Sequence, residues 1–367
     1  MSFKCGIVGL PNVGKSTLFN ALTNSSKAQA ANFPFCTIDP NVGVVPVPDE
    51  RLENLSRVSK SKKIINTTIS FVDIAGLVKG ASKGEGLGNK FLSHVREVDA
   101  IVHLARCFDS EKILNVNKNV DPVRDIEIIE TELLLADLES LEKQYEKTEK
   151  LARSGGKDDK KKFDVISRLS NHCNEGHRAR TFPADEDEVT IINSLHLLTR
   201  KPILYISNVD EKEITHKQPG HTVQKLADFA NKEGNSSIRL CSKLEQEISV
   251  LSDIERDMFL KEYNLSKPGL YKLIHAAFKL LDLETFFTGG PKEVRSWTIK
   301  EGTIAPDAAG EIHTDFQRGF IKAEVYKYDD LVRLGSEKAV KDAGLAKLQG
   351  KDYVVQDGDC IYFHFNV

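Results

Sequence analysis

Short apolar runs alternate with helical or polar segments over the first half of the chain. Buried-strand patterns occupy Phe3–Val8, Thr68–Val72, Ala100–Ala105 and Ile203–Ser207, whereas Ser16–Leu22 has apolar residues at helical spacing. Continuous apolar strands separated by helical material are typical of a parallel sheet that helices cover on both faces. The pattern therefore predicts an α/β domain.

A different pattern begins near residue 122. From Ile126 to about Ala152 apolar positions recur every three or four residues among many charges, which predicts a long amphipathic helix. Ser154–Lys162 is polar and predicts a solvated turn, and a second helix is expected from Phe163 onward. Two long helices joined by a polar turn predict an antiparallel helical hairpin inserted into the α/β domain.

The last part of the chain has strand patterns again, at Val294–Ile299, Phe320–Tyr326 and Asp352–Phe365, and a single helix is predicted over Leu331–Ala343. This predicts a small α+β domain. We therefore divide the chain into an α/β domain (residues 1–121 and 197–282), a helical hairpin insertion (122–196) and a C-terminal domain (283–367).

Composition adds limits to this picture. Charged residues make up 29% of the 367 residues, and 51 Lys and Arg against 54 Asp and Glu exclude a histone-like polycation. Residues 142–180 nevertheless hold 11 Lys and Arg against 7 Asp and Glu, so an RNA-facing patch and a merely solvated surface both remain open. The six scattered cysteines and the lack of a long apolar run lead us to expect a cytoplasmic protein that is not inserted in a membrane.

The strongest chemical signal is Gly9–Thr17 (GLPNVGKST), a complete phosphate-binding loop of the pattern GxxxxGK[ST] between a strand and a helix. Its glycines let backbone N–H groups converge on phosphate oxygens at a helix N-terminus. Lys15 would contact the β- and γ-phosphates, and the Ser16 hydroxyl would ligate Mg²⁺. The nucleotide-binding residues predicted here are Asn12, Val13, Gly14, Lys15, Ser16 and Thr17.

Two further elements complete the predicted metal and γ-phosphate side. Thr68–Val72 leads into Asp73-Ile74-Ala75-Gly76, a DxxG motif, which predicts Asp73 at the metal and the Gly76 N–H near the γ-phosphate. Thr37 lies between this motif and the loop, and its hydroxyl would complete the Mg²⁺ shell only when the γ-phosphate is present. Lys15, Thr37 and Gly76 are the predicted catalytic residues, and Ser16, Thr37 and Asp73 the predicted Mg²⁺ ligands.

The base-binding side follows a later strand. These three elements in this order are similar to the GTPase branch of P-loop proteins, in which Asn-Lys-x-Asp reads guanine. Asn208-Val209-Asp210-Glu211 stands in that position but reads Asn-x-x-Glu, and Cys241-Ser242-Lys243 takes the place of the Ser-Ala-Lys loop. We predict that Asn208, Val209, Glu211 and Ser242 surround the base, and that the change of motif removes guanine selectivity.

Three segments make the resemblance more specific: residues 32–40 (NFPFCTIDP), residues 73–89 (DIAGLVKGASKGEGLGN) and Asn208–Glu211. Together they resemble the Obg-like ATPase family, also called YchF, over the whole chain. The resemblance implies a P-loop domain with an inserted helical hairpin and a C-terminal TGS domain of ubiquitin-like fold. It also implies Mg²⁺-dependent ATP hydrolysis in the cytosol and association with ribosomes. We expect a monomer.

The residue that would orient the attacking water is not evident. Ras-type enzymes have Gln directly after DxxG, whereas this chain has Leu77, so slow intrinsic hydrolysis is expected. Where the family often has His, this chain has Asn115, and His94 and His103 are interpreted as structural. Backbone groups, a monovalent cation such as K⁺ near Asn12, or a partner are the candidates for aligning the water. The glycine-rich stretch Gly80–Gly88 is interpreted as a loop that orders with nucleotide state.

Three functions therefore remain open. The leading hypothesis is an ATP-hydrolysing switch that contacts ribosomes or ribosomal RNA. The second is a GTPase with a degenerate base motif, and the third is a ribosome- or RNA-binding module that holds nucleotide without useful turnover. In all three, Lys15 is expected to be a surface-accessible charge whose removal leaves the fold intact.

Overall fold

The computed structural model describes residues 3–29, 41–74, 87–110 and 119–366, and within these ranges the chain forms two six-stranded sheets. The strands in chain order are β1 (Lys4–Val8), β2 (Val42–Pro46), β3 (Ile64–Ile65), β4 (Thr68–Asp73), β5 (Ala100–Arg106), β6 (Ile203–Asn208), β7 (Ser236–Leu240), β8 (Leu283–Gly289), β9 (Val294–Lys300), β10 (Phe320–Lys327), β11 (Lys347–Gln349) and β12 (Asp359–Phe365).

The helices surround these sheets and form the insertion between β5 and β6. In chain order they are α1 (Lys15–Gln29), α2 (Glu50–Ser59), α3 (Leu87–Arg96), α4 (Pro122–Ser154), α5 (Lys157–Asn174), α6 (Glu186–Asn193), α7 (Glu211–Thr215), α8 (His221–Lys232), α9 (Ser242–Ile248), α10 (Asp253–Glu262), α11 (Gly269–Leu280), α12 (Ala305–Ile312), α13 (Thr314–Arg318), α14 (Tyr328–Leu334) and α15 (Glu337–Asp342). None of these helices is long and apolar enough to cross a bilayer, as far as the described ranges extend.

The first sheet has the order β2-β4-β1-β5-β6-β7, and its neighbouring strands are parallel except for β2, which is antiparallel to β4. Strands β5 and β6 are buried along their whole length, as the continuous apolar runs predicted. The carboxyl ends of parallel strands meet at one edge, where α/β proteins bind ligands. The phosphate-binding loop, Asp73 and Asn208 therefore come together at this edge.

The helical insertion consists of α4 and α5, which pack against each other around buried residues that include Leu141 and Leu169. Asp121 caps α4 through its side chain, with Pro122 in the first turn. The predicted solvated turn over Ser154–Lys162 is wrong in its extent. Only Gly155 and Gly156 separate the helices, because α5 begins at Lys157 and its Asp159 carboxylate accepts a hydrogen bond from the Gly156 N–H (3.2 Å).

Buried polar contacts attach the insertion to the first sheet. The carboxylate of Asp137 on α4 accepts hydrogen bonds from Leu198 N (2.7 Å), Thr199 N (2.8 Å) and the Thr199 hydroxyl (2.6 Å), just before β6. Arg180 donates to Glu130 of α4 (2.7 Å) and to Glu233 (3.1 Å), which follows α8. These contacts orient the long helix relative to the strand that carries Asn208.

The second sheet has the order β11-β10-β12-β8-β9-β3. Its outermost strand β3 comes from the first part of the chain and is parallel to β9. The Arg51 guanidinium on α2 also bonds the Asp357 carboxylate (2.6 Å), and Thr67 N donates to the Ser296 hydroxyl (2.7 Å). Part of the segment assigned to the nucleotide domain thus packs with the C-terminal sheet. The domain boundaries stay predictions.

The single helix expected over Leu331–Ala343 is wrong. Helix α14 ends at Leu334, Gly335 adopts a left-handed conformation (φ 75°), and Ser336 caps α15 by accepting a hydrogen bond from Ala339 N (3.2 Å). A glycine at φ > 0 followed by a serine cap ends one helix and starts the next. Leu331 and Val340 both remain buried on the second sheet.

Candidate nucleotide-binding site

The phosphate-binding loop depends on backbone conformations and close approaches that exclude larger residues. Asn12 (φ 64°) and Gly14 (φ 101°) are both in the left-handed region. A Cβ atom on Gly14 would lie 2.4 Å from Nδ2 of Asn208, and one on Gly9 would lie 2.5 Å from the carbonyl oxygen of Leu104. The two glycines of the motif are therefore required by packing as well as by backbone geometry.

Lys15 lies inside the loop rather than on its surface. Its Nζ donates hydrogen bonds to the carbonyl oxygens of Gly9 (2.8 Å) and Leu10 (2.9 Å), and only 9% of the residue is exposed. Burial lowers the pKa of the ammonium group, while the nearby Asp73 carboxylate acts in the opposite direction. The expectation of a surface-accessible charge is wrong, because the loop wraps around the lysine stem.

The predicted metal side combines one exposed and one half-buried oxygen group. Ser16 is exposed in the first turn of α1, and Asp73 is the last residue of β4. Burial raises the pKa of Asp73 and Lys15 lowers it. A hydroxyl and a carboxylate are the hard oxygen donors that Mg²⁺ prefers, so these residues fit the ion. The other predicted residues, Thr37 and Gly76, lie outside the described residues.

Asn208 connects the two sides of the site. It is 4% exposed, its Nδ2 donates to the Val13 carbonyl oxygen (2.7 Å), and its Oδ1 accepts from Ser242 N (2.9 Å). One side chain thus joins the phosphate-binding loop to the start of α9. Sequence reasoning placed Asn208 next to the base as a group able to meet it, but these contacts use its amide to hold the loops.

The other residues of the base motif are also engaged. Val209 is buried and its N–H donates to the Leu240 carbonyl oxygen (2.9 Å). Asp210 caps α7 by accepting from Glu213 N (2.8 Å). The Glu211 carboxylate bonds Nζ of Lys243 (2.6 Å), which follows Ser242 in the first turn of α9. The glutamate is therefore oriented by a lysine across the pocket.

Ser242 is the second buried polar residue at this position. It is 1% exposed, and its Oγ has no hydrogen-bond partner among the described residues. A Cβ atom on Gly14 would lie 3.6 Å from this oxygen, so the hydroxyl lies beside the phosphate-binding loop. A buried hydroxyl in this position is available to a ligand in the pocket.

These groups line one pocket of ≈ 530 Å³. Of the predicted nucleotide-binding residues, the pocket includes Asn12, Gly14, Thr17, Asn208, Val209, Glu211 and Ser242. Sequence reasoning quoted Asp210, Cys241 and Lys243 within the two base-side motifs but did not assign them to the site. It missed four more lining residues, because no motif marks them: Phe108, Asp109, Ser110 and Lys212. The available signal was position, since Phe108 lies two residues after the carboxyl end of β5. Arg106 lies over the Phe108 ring, 4.5 Å from its centroid.

Only some of the residues considered for orienting the attacking water lie within the described ranges. His103 on β5 is 1% exposed, and burial, with Arg180 and Lys15 nearby, lowers its pKa to about 3. A neutral, fully enclosed imidazole agrees with the structural role expected for it. His94 lies in the last turn of α3. Leu77, Asn115 and most of Gly80–Gly88 lie outside the described residues, and the cation near Asn12 stays a prediction.

Comparison with known proteins places this geometry in a family. The chain is 50% identical to the ribosome-binding ATPase YchF of Bacillus subtilis and 48% identical to that of Escherichia coli O157:H7, in each case over all 367 residues and the full length of the relative. The chain belongs to the YchF family. Family models described as YchF-GTPase_C and as 50S ribosome-binding GTPase match residues 283–366 and 4–162.

A solved member of the YchF family shares the fold. The structure of the Schizosaccharomyces pombe YchF GTPase is 40% identical, covers 99% of this chain and 98% of its own, and superposes with a TM-score of 0.90. The predicted fold class is confirmed: a P-loop α/β domain with a parallel-rich sheet, an inserted helical hairpin and an α+β C-terminal domain. The names given to YchF proteins include both ATPase and GTPase, so they do not agree on the nucleotide.

Proposed function

We propose that this chain hydrolyses ATP to ADP and phosphate, with Mg²⁺, as a nucleotide-dependent switch that associates with ribosomes in the cytoplasm. The observation that carries the proposal is the arrangement around Asn208, which joins the Val13 carbonyl of the phosphate-binding loop to Ser242 of the base pocket. A phosphate site and a base site held together by one buried side chain suit a nucleoside triphosphate. The ATPase names of the Bacillus subtilis and Escherichia coli relatives support the choice of reaction.

At the phosphates, we assign binding to the backbone N–H groups of the loop and to the Lys15 ammonium. The lysine donates to two carbonyl oxygens of its own loop, so phosphate oxygens would replace neutral acceptors by charged ones, which form stronger hydrogen bonds. Ser16 and Asp73, with Thr37, would hold the magnesium ion, which neutralises charge on the phosphates when bound. The Gly76 N–H is assigned to the γ-phosphate.

Turnover without a partner is proposed to be slow. An aliphatic side chain at Leu77 cannot orient water, and His103 is enclosed in the core. The third hypothesis, a ribosome- or RNA-binding module that holds nucleotide without useful turnover, predicts a different result in one measurement. Single-turnover hydrolysis with and without ribosomes decides between them, because a structural nucleotide would remain intact in both conditions.

At the base, the pocket lacks the arrangement that reads guanine, and the ATPase names of the relatives support adenine. In Asn-Lys-x-Asp motifs the aspartate accepts hydrogen bonds from guanine N1–H and the 2-amino group. Here Val209 replaces the lysine, and Glu211 has one more methylene and bonds Lys243 (2.6 Å). A carboxylate drawn toward Lys243 would lie away from the position in which the motif's aspartate meets those two donors, and it would not repel the adenine N1 lone pair. We assign the Val209 carbonyl to the adenine amine, since the Asn208 amide is engaged.

We expect guanine selectivity to be lost, because a polar pair that loses its geometry also loses most of its discrimination. On the ATPase names of the relatives, we further expect ATP to bind more tightly than GTP. Dissociation constants measured by calorimetry for the two nucleotides test this. GTP binding tenfold more tightly than ATP, about 1.4 kcal/mol, would contradict the proposal and favour the GTPase alternative. Lys243→Met, which frees Glu211, is expected to reduce the difference in affinity between ATP and GTP. Lys212→Met serves as a control on the same pocket.

The ribosomal contact is proposed on the names of the relatives and on the helical insertion. Part of the positive excess over residues 142–180 is neutralised, because Arg178 and Arg180 both pair with the buried Glu130 and Lys161 bonds Asp187 (2.7 Å). Lys157 and Lys160 at the start of α5 are exposed. We propose that this end of the hairpin contacts ribosomal RNA, and that the free protein is a monomer.

Reversing charge at Lys157 and Lys160 (K157E/K160E) is expected to weaken ribosome binding. It should also reduce the salt dependence of binding, because each phosphate contact that is lost no longer releases a counterion. Co-sedimentation with purified ribosomes at several salt concentrations measures both quantities. Lys161→Glu is expected to weaken ribosome binding less, because Asp187 already neutralises Lys161. Binding that is indifferent to salt, or unchanged in K157E/K160E, would refute the RNA contact.

A further inference from the structure

Three large apolar side chains near α10 are the most exposed of their kind in the part of the chain that the structure describes. Ile254 is 76% exposed, Val250 70% and Met258 68%. They lie within nine residues of one another. Isolated exposed apolar residues need no explanation, but a cluster of them marks an interaction site. We call these three residues the Ile254 surface.

The helix does not need this surface in order to fold. Ile254 and Met258 are four residues apart and share one face of α10, and Val250 lies in the turn just before it. Leu260 is buried on the other side, next to Phe259, whose ring stacks on Tyr263 with centroids 4.9 Å apart. Ser252 and Glu255 form a capping box at the start of the helix. The Ile254 surface therefore remains available to a partner.

The charges around the Ile254 surface define the kind of partner. On the helical wheel of α10, Glu255 and Glu262 border Ile254 and Met258 on one side and Asp257 borders them on the other. Lys261 lies between Asp257 and Ile254. All four charged residues are exposed. Three carboxylates against one ammonium repel phosphate, so neither RNA nor an anionic lipid surface fits here. An apolar protein segment with Lys or Arg at its edges does fit, and Met is well suited to such contacts.

The position of the Ile254 surface connects it to the nucleotide pocket. Helix α9 begins at Ser242, which lines the pocket and donates its N–H to Asn208, and it ends at Ile248, two residues before Val250. We propose that the Ile254 surface docks a positively charged, partly apolar segment of a ribosomal protein. This inference rests on the proposed ribosome association and assigns a protein contact in addition to the RNA contact at the hairpin.

The test uses the full chain and purified ribosomes. The double variant I254S/M258S removes two exposed apolar side chains, and Leu348→Ser is the matched control, since Leu348 is 61% exposed on β11 in the second sheet. We expect I254S/M258S to lose at least about tenfold in ribosome affinity, as removal of central apolar contacts does. Its ATP binding should be unchanged, which shows that it is folded. Leu348→Ser should bind ribosomes like the original chain.

A photo-crosslinking residue at position 258 identifies what covers the Ile254 surface. Crosslinking to a ribosomal protein, through a segment rich in Lys or Arg, supports the proposal. Crosslinking to ribosomal RNA, or unchanged ribosome binding by I254S/M258S, overturns it. Self-association of the original chain that I254S/M258S abolishes, measured by light scattering, would overturn it in favour of a second copy. If the original chain itself does not bind ribosomes, the proposed ribosome association fails, and this inference fails with it.

Discussion

Replacing Lys15 with methionine is expected to lower single-turnover ATP hydrolysis by about 100-fold or more, the usual effect of losing a group that stabilises charge in the transition state. Methionine is chosen because Lys15 is only 9% exposed, and an alanine would also leave a cavity where the lysine stem packs. The apolar part of the side chain is then retained while the donor to the phosphates is lost.

The same variant separates binding from chemistry. Affinity for a non-hydrolysable ATP analogue should fall together with turnover, because the ammonium group contacts the phosphates in both the ground state and the transition state. Lys160→Met, an exposed lysine on α5, is the matched control and should hydrolyse ATP like the original chain. If Lys15→Met keeps its affinity for the analogue, the role assigned to the phosphate-binding loop is wrong.

Asn208→Ala is expected to have the second largest effect, on stability as well as on binding. The substitution leaves the Val13 carbonyl and the Ser242 N–H without their partner in a buried site. Each buried group left unpaired costs about 1–3 kcal/mol, so the free energy of unfolding should fall by at least that amount. ATP affinity should fall by about tenfold or more, because the two sides of the pocket are no longer held together.

Two further variants test whether Asn208 acts through its geometry. Asn208→Asp keeps an acceptor for Ser242 N but brings a carboxylate oxygen against the Val13 carbonyl, so we expect it to be no better than alanine. Asn174→Ala changes an exposed asparagine of the helical insertion and should leave both quantities unchanged. Chemical denaturation and calorimetry at a temperature where all variants are folded give the two measurements. Full ATP affinity in Asn208→Ala would refute the bridging role.

Local sequence patterns were enough to predict most of the fold. The buried strands were predicted because a strand between two helical layers needs apolar residues at every position, as β5 and β6 show. The long helix α4 was predicted because its apolar residues recur at helical spacing. The failures were also local in origin. Gly335 and Ser336 end one helix and cap another, but the apolar spacing of Leu331 and Val340 continues across them and hides the break.

Short or displaced strands escaped prediction for a different reason. Strand β3 has two residues and belongs to the second sheet, although along the chain it comes between β2 and β4 of the first sheet. Its pairing with β9 is formed across more than two hundred residues, so no window of sequence contains both partners. The same is true of the Arg51–Asp357 ion pair. The attachment of residues 49–67 to the C-terminal sheet therefore required the structure.

By itself, the sequence determined that this is a P-loop protein, because a phosphate-binding loop is a contiguous motif whose glycines, lysine and hydroxyl act through the backbone around them. The resemblance to the YchF family came from three other segments, residues 32–40, residues 73–89 and Asn208–Glu211. Only the tertiary structure decided how that motif is used. It buries Lys15 within the loop, commits the Asn208 amide to Val13 and Ser242, and turns Glu211 toward Lys243. The contacts of Asn208 and Glu211 join segments about thirty to two hundred residues apart, and their geometry arises only when the parallel strands bring their carboxyl ends to one edge.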